Sequence, residues 1–275
     1  MSIPFKICLI YTSTDQMSKE KYTLCFVFAM GVESRRFLKR VEIRKRWKVG
    51  HATHREVFFE GGEFLVIRSG IGFQKALAAS KNVNSCPDYM LSVGTCGALV
   101  HDLTPGDIVL ASETIYSEDP SVRVKCSGRL LAASEAVCSK LGLNYRVAPI
   151  VTSDRAVFLR SEREKLKLRC GAEAVDMESH AIGVGAASIG SSFGVIRVVS
   201  DGIDSPPLPD RSIIKNWRNR LHELPKNIGP LLAWWKFLKS FNASIKKLDG
   251  PLIELTRTIH KSNFRDTFQT WNKRP

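Results

Sequence analysis

Residues 173–204, EAVDMESHAIGVGAASIGSSFGVIRVVSDGID, decide the fold. After Glu178, small and apolar residues recur at helical spacing, at Ala181, Ile182, Gly185, Ala186 and Ile189. The run Val195-Ile196-Arg197-Val198-Val199 then reads as a buried strand, closed by Ser200, Asp201 and Gly202. In open α/β sheets ligands gather beyond the carboxyl ends of strands, so Asp201 stands where chemistry is expected. A helix-capping or turn aspartate fits this segment equally well when it is taken alone.

Working outward, strands and helices alternate. Leu24–Ala29 reads as a strand leading to Met30-Gly31-Val32-Glu33, and Ser34–Lys48 as a basic helical segment. A hairpin follows, Glu56–Phe59 and Glu63–Arg68 joined at Gly61-Gly62, then a helix over Phe73–Asn82. Asp88–Val93 is a buried strand opening into Gly94-Thr95-Cys96-Gly97-Ala98, whose glycines either let backbone amides approach a ligand or make a structural tight turn. Asp107–Ser112 and Val147–Thr152 are further strands, Arg129–Leu141 a helix, and Glu162–Arg169 an exposed charged helix. The alternation predicts an α/β fold with a central mixed β-sheet flanked by helices.

The 275 residues and their ordinary apolar fraction allow a sizeable core. Seven scattered cysteines form no C-x-x-C pair, which favours reduced thiols in a cytoplasmic protein and no metal site. No apolar run approaches the roughly 20 residues that span a bilayer. The net charge of +14 favours an anionic partner without naming it. Two motifs fail on context. Gly190-Ser191-Ser192-Phe193-Gly194 matches G-x-S-x-G, but helix precedes strand, the reverse of a hydrolase elbow. Gly183-Val184-Gly185 follows no strand, so it is no dinucleotide fingerprint.

Four segments together resemble the nucleoside phosphorylase superfamily, which includes purine and uridine phosphorylases and methylthioadenosine/adenosylhomocysteine nucleosidases. They are residues 29–33, residues 69–72 (Ser-Gly-Ile-Gly), residues 93–98 with Pro105–Val109, and residues 174–178 with 199–201. Their order spans about residues 23–204. The Val-Asp-Met-Glu-Ser-His-Ala form and the basic tail look most like the hopanoid-associated branch, whose members are similar to nucleosidases that release adenine from adenosylhopane.

The resemblance implies a single-domain phosphorylase/hydrolase-like fold over residues 23–222, and a role for each site residue. Asp201 matches the acid at purine N7, where burial at a strand end would favour the protonated form. Glu178 matches the carboxylate that accepts the ribose hydroxyls and favours an oxocarbenium-like transition state. Met177 would pack under the sugar, Thr95 and Gly94 match the loop facing sugar and nucleophile, and Ser200 belongs with Asp201 at the substrate. Glu33 aligns with the glutamate that activates water. A carboxylate there repels phosphate, so hydrolysis is favoured, and Arg35, Arg36 or Arg68 keep phosphorolysis open. A first-turn glutamate serving the helix dipole is the plain alternative for Glu33. The family's base-stacking aromatic is displaced in Thr152–Phe158, leaving Phe158 as the candidate. No cofactor is implied, apart from phosphate as co-substrate in a phosphorylase, and a homodimer is expected.

Residues 1–22 fit an extra strand, a tail, or a later start at Met17. Residues 223–275 form a basic, aromatic-rich segment read as helical, with Leu231, Trp234, Trp235, Leu238, Phe241, Ile245 and Leu248 on one stripe. Either the stripe packs on the domain, or residues 228–248 touch an anionic membrane surface peripherally. Against the enzyme stands a non-catalytic protein of the same fold, binding nucleic acid or membrane. Such a module has no need of Glu33, Glu178 and Asp201 together, and no specific nucleic acid is expected.

Overall fold

A computed structural model describes residues 22–83, 85–205 and 229–261. The order is β1 (Leu24–Phe28), α1 (Gly31–Leu38), β2 (Glu42–Val49), β3 (Ala52–Phe59), β4 (Gly62–Arg68), α2 (Phe73–Lys81), β5 (Tyr89–Ala98), β6 (Ile108–Tyr116), β7 (Arg123–Lys125) and α3 (Gly128–Lys140). Then come β8 (Tyr145–Thr152), α4 (Arg160–Cys170), β9 (Ala174–Asp176), α5 (Ser179–Ser188), β10 (Ser192–Asp201), α6 (Gly229–Lys246) and α7 (Asp249–Lys261).

All the described strands share one mixed sheet. β5 pairs in parallel with both β1 and β10, its end pairs with β9, and the path β9–β8–β6 returns to β10. Five strands therefore close on themselves, and β1, β4, β3 and β2 extend the sheet from β5. Strands β1 and β5 are buried on both faces, as their near-continuous apolar runs require. One core cluster lies under α2 and α5, with Ala76, Ala79, Ala181, Ile182 and Ala186. The other joins Phe26, Phe28 and Phe37 to Leu130, Val137, Leu252 and Leu255 from α3 and α7.

Three expectations are corrected. The basic segment 34–48 is helical only to Leu38. Its second half is the exposed edge strand β2, where Ile43, Trp47 and Val49 suit a strand and Arg44, Lys45, Arg46 and Lys48 guard an unpaired edge. Gly94–Ala98 is not a turn: β5 runs through it, because β10 pairs along it as far as Gly97. Residues 162–169 are helical, but Arg163 and Leu166 are buried with Cys170. The stripe after residue 228 divides. Ile245 and Leu248 are buried on the domain, whereas Trp235 is 58% exposed. The expectations for residues 1–21, 206–228 and 262–275, and for the side chains of Leu231 and Trp234, fall outside the described residues.

Candidate active site

The site forms where the edge of β5 changes partner. β1 pairs with β5 as far as Val93, and β9 begins at Gly97. Thr95 lies in that opening, and its backbone N–H donates to Glu33 Oε1 at 3.1 Å. The Thr95 hydroxyl reaches the same oxygen at 3.4 Å, and the Met30 N–H donates to Oε2 at 2.9 Å. Glu33 thus closes the first turn of α1, as a capping glutamate does, while tying α1 to β5. The capping arrangement expected of a first-turn glutamate is present, and it also brings Glu33 to Thr95. Burial raises its proton affinity, opposed by Arg197 and by the hydrogen bonds from Met30 and Thr95.

Gly94 is needed beside it. A Cβ there would lie 2.1 Å from Arg197 Nη1 and 2.7 Å from Glu33 Oε1. Arg197 is fully buried in the middle of β10, and its Nε and Nη2 each reach Asp176 Oδ2 at 2.8 Å. It also donates to Ser92 Oγ and Ser179 Oγ, both at 2.9 Å. Asp176 completes its shell with Thr152 Oγ1 at 2.6 Å. A buried ion pair persists only when its remaining lone pairs and protons are satisfied, as here. Burial opposes the charge on Arg197, and Asp176, Glu178 and Glu33 more than restore it.

Glu178 immediately precedes α5, and its Oε1 accepts the Gly72 N–H at 2.9 Å. That bond joins the Ser-Gly-Ile-Gly loop to the Met177–Glu178 segment, 106 residues apart in sequence. Burial pushes Glu178 up to about 7, Arg197 opposes the shift, and Asp176 and Glu33 add to it. Met177 is half-buried beside it.

Asp201 ends β10, where a register irregularity after Val199 sets it opposite Gly97. Gly97 is two residues, about 7 Å, along β5 from Thr95. Ser200 Oγ donates to Asp201 Oδ1 at 2.5 Å, and Arg163 Nη2 donates to Oδ2. The burial expected at the strand end is present, with Asp201 8% exposed, but its surroundings are ionic rather than apolar. From α6, Ser240 Oγ donates to the Ser200 carbonyl at 2.9 Å, so this helix lies against the Asp201 end of β10.

The fold brings Glu33, Gly94 and Thr95 together, links Glu178 to them through Arg197, and sets Ser200 and Asp201 further along β5. Phe158 is half-buried in the loop before α4. Its neighbour Val157 accepts Arg163 Nε at 3.1 Å, which brings the loop near Asp201, and no contact of the Phe158 ring with the other candidates is seen. Arg197, Asp176 and Arg163 escaped the sequence reading. The first two carried a signal, since a charge inside a buried run demands a partner.

A family model described as the phosphorylase superfamily matches residues 23–226. Among solved structures, futalosine hydrolase of Helicobacter pylori is 18% identical, with a TM-score of 0.71 over 86% of this chain and 98% of that one. The 5′-methylthioadenosine/S-adenosylhomocysteine nucleosidase of Colwellia psychrerythraea, in complex with adenine, is 19% identical, with a TM-score of 0.71 over 87% and 96%. The Neisseria meningitidis nucleosidase in complex with methylthio-immucillin-A is 19% identical, with a TM-score of 0.69 over 86% and 98%. At these identities the likeness is one of fold.

Proposed function

Because the chain belongs to the phosphorylase superfamily, whose members are nucleosidases and pentosyltransferases, we propose that it cleaves the N-glycosidic bond of a purine nucleoside by hydrolysis and releases adenine. The observation that carries hydrolysis is the buried Glu33 carboxylate, held in the opening of β5 by Thr95. A group whose proton affinity is raised by burial is suited to take a proton from water, and its charge repels an incoming phosphate. Water adds to C1′ and gives its proton to Glu33. The C1′–N9 electron pair leaves with the base, and Asp201 supplies a proton at N7. Glu178 accepts the ribose hydroxyls in its ionised form, with Met177 under the sugar and Phe158 as the candidate beside the base.

The 5′ substituent is bulky and apolar in this reading, as in a lipid-linked nucleoside such as adenosylhopane. Support comes from α6, which reaches Ser200 through Ser240 and exposes Trp235 and Leu238 beside Lys236 and Lys239. Tryptophan and lysine together suit a headgroup boundary, so peripheral contact with an anionic membrane goes with this substrate.

Phosphorolysis is the second reading, and one observation favours it. Arg46, Arg55 and Arg68 share a face of β2–β4. Among the described residues none has a carboxylate partner, and Arg55 Nη1 is buried with no hydrogen bond. A Cβ on Gly31 would meet Arg68 Nη1 at 3.4 Å, so the cluster begins at the N-terminus of α1. Adenine release from adenosylhopane and 5′-methylthioadenosine, with and without phosphate, tests both readings. Equal rates without phosphate are expected. An absolute phosphate requirement overturns hydrolysis, and activity confined to small nucleosides overturns the lipid-linked substrate.

A further inference from the structure

Two of the largest fully buried side chains are arginines. Arg197 belongs to the sugar side of the site. Arg163 comes from α4, and every donor group of its guanidinium is engaged around Asp201. Nε donates to Val157 O at 3.1 Å. Nη1 lies 2.7 Å from Gly202 O, 3.3 Å from Ala98 O and 3.5 Å from Asp201 O. Nη2 donates to Asp201 Oδ2. Gly97 leaves the room for this arrangement, since a Cβ there would stand 3.1 Å from both Arg163 Nη2 and Asp201 Oδ2.

The other carboxylate oxygen has a different partner. Oδ1 faces Ser200 Oγ at 2.5 Å, and that hydroxyl also lies 3.1 Å from the Cys96 carbonyl. A hydroxyl has one proton and can accept as well as donate. With Asp201 ionised, Ser200 donates to Oδ1. With a proton on Oδ1, the carboxyl donates to Ser200 Oγ, and the hydroxyl turns to donate to Cys96 O. Neither state leaves a buried polar atom unpaired. Oδ2 has no such choice, because Arg163 presents a donor to it in both states.

We propose that Arg163 is a positioning residue that confines the exchangeable proton of Asp201 to Oδ1 and, through its charge, sets the pH at which that proton leaves. This rests on the reading of Asp201 as the acid at the base. Around Asp201, Arg163 faces it from α4, the Cys96 thiol is near on β5, and α6 presents the uncharged Ser240. Asp204, three residues on, is paired with His101 and Arg160. Deeper in the site, Arg197 is matched by Asp176. Among the described residues Arg163 is thus the cation in direct contact with the carboxylate. Removing it favours the protonated acid.

The test uses the full chain, with adenine release from 5′-methylthioadenosine followed across pH in wild type, Arg163→Met, Arg163→Lys, Asp201→Asn and the Met/Asn double variant. In Arg163→Met the basic limb of kcat/KM is expected to move up by about one pH unit or more, with kcat down about tenfold or more and KM little changed. The double variant should be no slower than Asp201→Asn alone. A limb at the wild-type pH in Arg163→Met, or losses that multiply in the double variant, overturns the proposal. If Arg163→Met does not fold, Arg163→Lys carries the test. It keeps the charge and loses the fork, so kcat falls with the limb in place, and a wild-type kcat is the overturning result. Carbon-13 NMR of the Asp201 carboxyl reads the same titration without turnover, and an unmoved midpoint in Arg163→Met overturns the inference. A wild-type chain that releases no adenine defeats the functional reading alone, and the NMR measurement still decides the role of Arg163.

Discussion

Glu178 is a carboxyl group whose burial works against the task proposed for it. Accepting ribose hydroxyls requires the ionised form, and burial holds its proton up to about 7. Between its ordinary value of 4.5 and about 7, the folded chain keeps a proton that the unfolded chain has released. Glu178 therefore contributes stability to the ligand-free protein that is lost as pH rises through that window, by about 3 kcal/mol in all. Glu178→Gln is expected to remove this dependence and to raise the urea midpoint at pH 8 while abolishing adenine release. An unchanged stability–pH curve in the variant would count against it. Gly94→Ala is a second test, because its Cβ would collide with Arg197 Nη1 at 2.1 Å. Overpacking of this kind costs about 1–3 kcal/mol, and turnover should fall about a hundredfold with the displaced Glu33. Both substitutions act on residues whose type was legible in the sequence. Arg163 was not legible, because its partners come from the loop before α4 and from the ends of β5 and β10, and one guanidinium in a charged run gives no sign of which face it occupies.

At the scale of elements, periodicity succeeded where one face is buried and misled where neither propensity nor pattern decides. The hairpin β3–β4 was readable from its glycines, but the two-residue turn is Glu60-Gly61, with φ of 47° and 89°, one residue before the expected Gly61-Gly62, and Gly62 already pairs with Phe59. β5 was cut short because glycines look like turn residues, whereas here they make room for side chains from α1, α4 and β10. Helices α6 and α7 behave differently from each other. Leu252 and Leu255 of α7 are wholly buried, so alanine at either should cost about 2–5 kcal/mol by urea titration. A chain cut after His222 would lose them both, so membrane contact is better tested with Trp235→Ser and Leu238→Ser in the intact chain. Co-sedimentation with anionic vesicles should then fall severalfold, and equal binding by both chains would sink the membrane contact.

For the molecule as a whole, the mixed α/β sheet and the order of its elements followed from the alternation of apolar runs and turn residues in residues 24–201. The closure of β5, β10, β6, β8 and β9 into a ring did not, since β9 is only three residues long and is defined by its partners. The net charge of +14 adds a prediction at this scale. Vesicle binding should weaken steeply as salt rises, because exposed charges are screened beyond about 8 Å at physiological ionic strength. Binding indifferent to salt would leave the charge without a part in it. No helix among the described residues is long and apolar enough to cross a membrane.

The seating of α7 governs how the chain can be assembled. Asp249 pairs with Arg40 across 209 residues of sequence, and Ile253 and Ile259 share a core cluster with Phe26, Phe37 and Phe64. The face begun by β1 is therefore sealed only when residues beyond 249 arrive. Contacts that distant slow folding, because loop-closure entropy is lost before they form. Until α7 has been synthesised the emerging chain carries a wet apolar face, which makes the unfinished polypeptide, rather than the folded one, the form that needs a chaperone.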